Sequence, residues 1–405
     1  MIHIKDIKLL LCFVGMMLLA ACQNEPEPPA GEQKHHTMEL VSLTAPFLDV
    51  QKQGTTRADD EYFLPKDYIP YDQLYPTTSP PNKTIGVFMT PEKESSLGDF
   101  IYQGIEDGIS VWKSTVTVTE GTQYYIYGFM PRGDADKADI SPLPDLSDAE
   151  KSGPDKGYAK GAQLTINNYE SLTSADVCVL VGVRNATEEE KITGPQSPIK
   201  LGSFGYKGMA NGENRIFVLL KHIYAGIHFR CSIDPAYHKL RCIKVTKLEL
   251  IAKEISAKVN LTVKFVANAT GDDPVGPNAV TYTSYTAVGE PTTTSTTLFP
   301  WEGLPADAEF EVPETTPEDF LGCFVPNLVS DFVLRTTYNV YDKQGNLIRK
   351  DNVIENKINT TLIPKLKEIG AGEIVSVNLK IAPDYLYQLS GTDLDNPTIS
   401  ITTNP

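Results

Sequence analysis

"KVNLTVKFV", residues 258–266, places Val259, Leu261, Val263 and Phe265 on one parity and Asn260, Thr262 and Lys264 on the other. Successive side chains of an extended chain point to opposite sides, so this stretch is a half-buried strand with one wet face. The pattern returns where Phe332, Leu334, Tyr338 and Val340 oppose Arg335, Thr337 and Asn339, and where Val375, Val377, Leu379 and Ile381 oppose Ser376, Asn378 and Lys380. In "IKVTKLELI" the apolar phase slips from Ile243 and Val245 to Leu248 and Leu250, which predicts a bulge near Lys247.

The first half reads differently. "TIGVFM" (84–89) and "STVTVTE" (114–120) alternate, but "YYIYGFM" (124–130) and "VCVLVGV" (177–183) are apolar on both parities. Such runs are expected of strands covered on both faces. Helix is scarce; the best case is "PKLKEIG", with Pro364 at a first helical position and Gly370 as the C-terminal cap. Two loop-rich stretches, 131–165 and 270–317, read as decorations at sheet ends. With many short strands and no βα alternation, the expected fold is all-β, two antiparallel β-sandwich domains in series. "SFGYKGMANGEN" places the boundary near residue 214, giving an N-terminal domain over 38–214 and a C-terminal one over 215–405.

Residues 1–21 have the layout of a secretory signal: Lys5 and Lys8, an apolar run from Leu9 to Leu19, then Ala20 and Ala21. That run is shorter than the roughly 20 residues of a membrane-spanning helix. "LAAC" resembles the lipobox of bacterial lipoproteins, which makes Cys22 the lipidated first residue of the mature chain and "QNEPEPPAGEQ" part of a tether over 22–37. The net charge of −16 argues against nucleic-acid and anionic-membrane binding, both of which reward clustered Lys and Arg.

Enzyme motifs are absent: there is no GxSxG elbow, phosphate-binding Gly-rich loop, HExxH or EF-hand loop. Acid pairs such as Asp59–Asp60 and Asp393–Asp395 read as turn charges, and "RGD" at 132–134 as a chance match in a loop. The tyrosines of "YIPYDQLYP" are a stacking platform for sugar or ordinary packing groups. His222 and His228 share a parity of one strand read from Ile216 to Cys231, roughly 20 Å apart by strand rise, too far for one metal. They are expected to face solvent or a domain contact. No metal or other cofactor is expected. "CSIDPAYHKLRC" admits two readings: a turn that brings Cys231 to Cys242 in a disulfide, or small buried residues.

Taken together, the lipobox, "TTRADDEYF", "KTIGVFM", "YYIYGFMP", "FVLLKHIYAGIHFRCSIDPAYHKLRCIKVTKLEL" and the closing "GEIVSVNLKIAPDYLYQLSGTDLDNPTISI" resemble the Bacteroides-type fimbrillins, subunits of type V pili. The resemblance implies two transthyretin-like sandwiches and a lipid-anchored precursor at the cell outer membrane. It also implies cleavage by an arginine-specific protease that removes an N-terminal strand. The groove so opened is then filled by the C-terminal segment of another fimbrial subunit. Carried onto this chain, the cut falls between Arg57 and Ala58, the strand removed is "MELVSLTAPFLDV", and the donor tail begins near Asp393 with Ile399 and Ile401 on one face. Only eight residues follow Pro397, a short tail for a donor. The other functional reading is a lipid-tethered module that binds a glycan or host protein outside a pilus.

Overall fold

In a computed structural model the described residues are 35–44, 48–50, 69–70, 84–90, 96–106, 109–119, 123–132, 138–152, 157–185, 205–207, 215–266, 280–301, 304–328, 331–385 and 392–403. They form strands in four sheets with almost no helix, an all-β fold. The two α-helices are single turns. Helix α1 (Asp148–Lys151) is closed by a Ser147–Glu150 capping box, and α2 (Pro235–His238) is capped by the Asp234 carboxylate, which accepts from the Ala236 and Tyr237 N–H groups.

The largest sheet has nine strands: β1 (His35–Thr44), β3 (Ile69–Pro70), β4 (Thr84–Thr90), β5 (Ser96–Glu106), β6 (Ile109–Thr119), β7 (Gln123–Met130), β11 (Cys178–Asn185), β12 (Gly205–Lys207) and β13 (Arg215–His222). Its main path runs β11-β13-β1-β6-β5-β4-β7, and β7 pairs back onto β11 through Cys178↔Met130 and Val179↔Phe129. The path therefore closes into a ring, which has an inside and an outside.

Burial shows both faces in use. On the outer parity, Tyr125, Tyr127 and Phe129 of β7, Val179 of β11 and Val177 just before it pack into the first apolar core. On the other parity, Ile126, Met130, Cys178 and Leu180 are 0–1 % exposed, as is Trp112 of β6, yet none belongs to that core. They fill the inside of the ring. The runs that are apolar on both parities are thus strands covered twice.

A four-stranded sheet closes the outer side of the first core: β8 (Ala138–Pro142), β9 (Gly161–Glu170), β16 (Lys258–Val266) and β17 (Val280–Val288), in the order β17-β16-β9-β8. Val259, Leu261, Val263 and Phe265 are fully buried there, as the opening stretch predicts, with Phe265 and Tyr127 rings 5.4 Å apart. Strand β9 starts at Gly161, whose φ of +133° favours glycine; a Cβ there would also stand 2.2 Å from the Phe265 carbonyl oxygen. The ladder joins residues on either side of 214, since β9 pairs with β16 and β1 pairs in parallel with β13.

The second core lies between two further sheets. One contains β10 (Leu172–Thr173), β20 (Glu318–Phe324), β14 (Ala225–Ile233), β23 (Glu373–Tyr385), β2 (Leu48–Asp49) and β24 (Thr392–Thr403). The other contains β18 (Thr292–Phe299), β15 (Cys242–Ile255), β21 (Phe332–Tyr341), β22 (Leu347–Ile358) and β19 (Phe310–Glu311). The slip foreseen near Lys247 is a register shift between Val245 and Lys247 in the β15–β21 ladder. The β1–β13, β14–β23 and β2–β23 pairs are parallel, whereas ladders such as β8–β9, β16–β17 and β15–β21 are antiparallel.

Several local expectations are corrected. The stretch 131–165 holds β8, α1 and the start of β9, and 270–317 holds β17, β18 and β19. "TTTSTT" is strand because threonine's β-branch suits an extended backbone, although its polarity hides the pattern. "PKLK" makes one 3-10 turn that ends at Glu368, and the left-handed residue after it is Gly372 rather than Gly370. The span from Ile216 to Cys231 is two strands, because the chain leaves β13 at Ile223–Tyr224 and enters a different sheet as β14.

Candidate functional site

The first feature of functional interest is where the N-terminal strand sits. Strand β1 lies between β13 and β6, inside the ring path rather than at an edge. Glu39 to Thr44 run parallel to Arg215 to Leu220, and β2 continues the segment onto the second sheet beside Glu373 and Ile374. The Val50 N–H donates to the Ile374 carbonyl at 3.1 Å. The ladders of this N-terminal segment thus join it to two different sheets. Cys22, Arg57 and Ala58 lie outside the described residues.

The last strand is placed differently. Among the described residues strand β24 pairs with β23 alone, antiparallel, with Ile399 opposite Ile381 and Ile401 opposite Leu379. Ile399 is 7 % exposed and belongs to the second core, while Ile401 is half-buried against it. The Asn356 side-chain amide donates to the Ile399 carbonyl at 2.9 Å. In the isolated chain these two isoleucines complete their own sheet, which is the other use the sequence allowed them.

A third feature was not foreseen. Asp176, Cys178 and His222 form a polar cluster at the end of the ring interior, and all three are buried. Asp176 and Cys178, two residues apart, share a face, and Cys178 and His222 are directly opposite in the β11–β13 ladder. His222 Nδ1 stands 2.9 Å from Asp176 Oδ1 and 3.3 Å from Cys178 Sγ, and the thiol donates to Asp176 Oδ2 at 3.3 Å. A carboxylate only accepts, so the Nδ1 facing it carries the proton in this arrangement. Burial, then the Asp176 charge, pushes the Cys178 thiol well up. Such a thiol is a poor nucleophile, and no substrate reaches a fully buried sulfur.

His222 is 2 % exposed, so of the two placements expected of it, solvent or a domain contact, the solvent one is corrected. This residue shares its parity of β13 with Leu220, which is fully buried, so the cover that hides the leucine hides the histidine as well. His228 meets the Asp319 carboxylate at 3.0 Å on the adjacent strand β20 and is partly exposed. The sequence did carry one signal for the cluster, the acid two residues before Cys178 at the mouth of an apolar run. Its histidine partner, 44 residues on, is set only by strand register.

Cys178, Cys231, Cys242 and Cys323 are all free thiols. Cys231 and Cys323 are buried, and burial pushes both thiols up; Cys242 is half-buried, and burial followed by the Glu311 carboxylate pushes it up to about 11. The tryptophans are used for packing: Trp112 is fully buried, and Trp301 lies against the second core with its ring 5.6 Å from that of Phe299.

No protein-family model matches the chain, and no curated protein does. Among solved structures it is similar to two described as a "putative cell adhesion protein". One is from Bacteroides uniformis, with 9 % identity, 94 % of this chain and 100 % of that chain covered, and a TM-score of 0.36. The other is from Bacteroides fragilis, with 8 % identity, 91 % and 97 % coverage, and a TM-score of 0.38. A fimbrial protein from Bacteroides ovatus covers 85 % of this chain, which spans 49 % of that one, at 10 % identity and a TM-score of 0.30.

Proposed function

We propose that this protein is a non-enzymatic, cell-surface fimbrial subunit or fimbrillin-like adhesin that assembles by β-strand addition. The observation that carries the reading is the position of β1, an inserted strand lying upstream of Arg57. Cleavage after Arg57 would free the segment that holds β1 and β2 and leave β13 and β6 with unpaired backbone groups facing each other across a gap. An extended strand from another subunit satisfies those groups by main-chain hydrogen bonds and fills alternate side-chain positions. On this reading Cys22 delivers the precursor to the outer membrane as a lipoprotein, and the lipid leaves with the excised segment. The donor is the tail containing Ile399 and Ile401, which must first leave β23; as a strand paired on one side only, it gives up a single ladder. The residue-214 boundary belongs to the same proposal, with the excised strand assigned to the N-terminal domain.

The test is N-terminal sequencing of the protein recovered from the cell surface, together with the Arg57→Ala variant. Wild-type protein is expected to begin at Ala58 and to form oligomer ladders, and the variant to begin at Cys22 and remain unassembled. Ladders that persist unchanged in Arg57→Ala would sink the mechanism.

A further inference from the structure

We propose that Asp176, Cys178 and His222 form a buried zinc site that locks the end of the β-ring. Three donors of the types zinc prefers, a thiolate sulfur, an imidazole nitrogen and a carboxylate oxygen, converge with their ligand atoms all within 4.8 Å of one another. The contacts of 2.9 and 3.3 Å need open by only a few tenths of an ångström to reach the roughly 3.3–3.6 Å between tetrahedral ligands at bond lengths of about 2.0–2.3 Å.

Charge balance favours the same occupant. A thiolate and a carboxylate carry two negative charges, which one dication cancels, and the imidazole stays neutral by moving its one proton from Nδ1 to Nε2. The metal then takes the place of the two hydrogens that now point at Asp176: the thiol proton is released to solvent as the site forms, and the Nδ1 proton is relocated on the same ring. The site then holds no net charge in an interior where an unbalanced charge is costly. The three side chains supply three of the four positions that zinc usually takes.

The placement gives the site a structural task. Cys178 is the residue at which β11 meets β13 on one side, through His222, and β7 on the other, through Met130. Asp176 precedes β11, and the Gly372 turn lies over His222, its N–H donating to the Tyr224 carbonyl at 2.9 Å. An ion held here pins the junction at which the ring closes. Because the donors are buried, the metal enters while the chain folds rather than afterwards.

The experiment uses the full chain produced in zinc-supplemented medium, stripped of loosely held metal by a chelator, and measured by elemental mass spectrometry and X-ray absorption at the zinc edge. The wild type is expected to keep one zinc per chain, with one sulfur ligand and the remainder nitrogen or oxygen. Cobalt supplied in place of zinc should give a thiolate-to-metal charge-transfer band. Cys178→Ser and His222→Gln should lose the metal, by more than the roughly 10–100-fold in affinity that a merely orienting partner is worth. Cys242→Ser and His238→Gln, which alter a more exposed Cys and His around Glu311, should keep it. The wild-type measurements stand even if a variant misfolds. Wild-type protein that retains no zinc, zinc with no sulfur ligand, or metal lost in Cys242→Ser but kept in Cys178→Ser would each overturn the site.

Discussion

Strands β7 and β21 are of similar length and both lie inside a sheet, yet they bury different amounts of themselves. Along β21 the residues Phe332, Leu334, Thr336, Tyr338 and Val340 are buried, while Val333, Arg335 and Thr337 remain partly open to water. Along β7 every residue from Tyr125 to Met130 is buried. The difference comes from topology. β21 belongs to an open sheet with one face on the second core, whereas β7 belongs to a ring with a core outside and a packed interior inside. Open sheets tolerate polar groups on alternate positions; a closed one must satisfy them internally, as the Asp176–Cys178–His222 cluster does.

The comparison is most open to attack at the ring interior. Replacing Ile126 by alanine is expected to cost about 2–5 kcal/mol in urea unfolding, the range for a large aliphatic side chain lost from a packed core. A cost below about 0.5 kcal/mol, the range of ordinary surface positions, would mean that the second face of β7 is not packed.

A smaller effect is expected where the second region is tied at its corner. Asp234 caps α2 between β14 and β15, and its side chain also pairs with Lys380 at 3.2 Å. Asp234→Ala should cost about 1 kcal/mol. The Tyr237 N–H, then the Lys380 ammonium, hold the Asp234 carboxyl below the usual value of 3.8. A depressed folded value means that the stabilisation is complete above pH 3.8 and is lost as pH falls through the folded value. The gap between wild type and variant should therefore be constant near neutrality and close in acid. A gap that widened in acid would reverse the assignment.

The smallest effect belongs to the wet face of β21. Arg335 pairs with Glu355 across to β22, both partners close to half exposed. Arg335→Ala should cost no more than about 1 kcal/mol and less at high salt. A loss as large as that of Ile126→Ala would erase the distinction between the two faces.

Much of this was legible along the chain. The alternation in 258–266 named its buried residues, because a half-buried strand needs only its own pleat to be read; in β21 it named the apolar ones but put Asn339, which is buried, on the wet face. The slip near Lys247 was visible for the same reason. The two double-apolar runs announced strands covered on both sides, but not that the cover on one side is the inside of a ring. Strand β18 escaped because a threonine-rich strand has no hydrophobic phase, and β13 and β14 were joined because an apolar run does not mark a change of sheet.

By itself, then, the sequence determined local matters: extended backbone through most of the described residues, which parity is apolar, and where a strand slips. Tertiary structure alone decided partnership. It placed β1 between β13 and β6, set β9 against β16 across nearly a hundred residues, and brought His222 onto Asp176 and Cys178. Backbone hydrogen bonding is the same for every pair of strands, so a strand's own residues say which face is buried but not which neighbour completes its ladder.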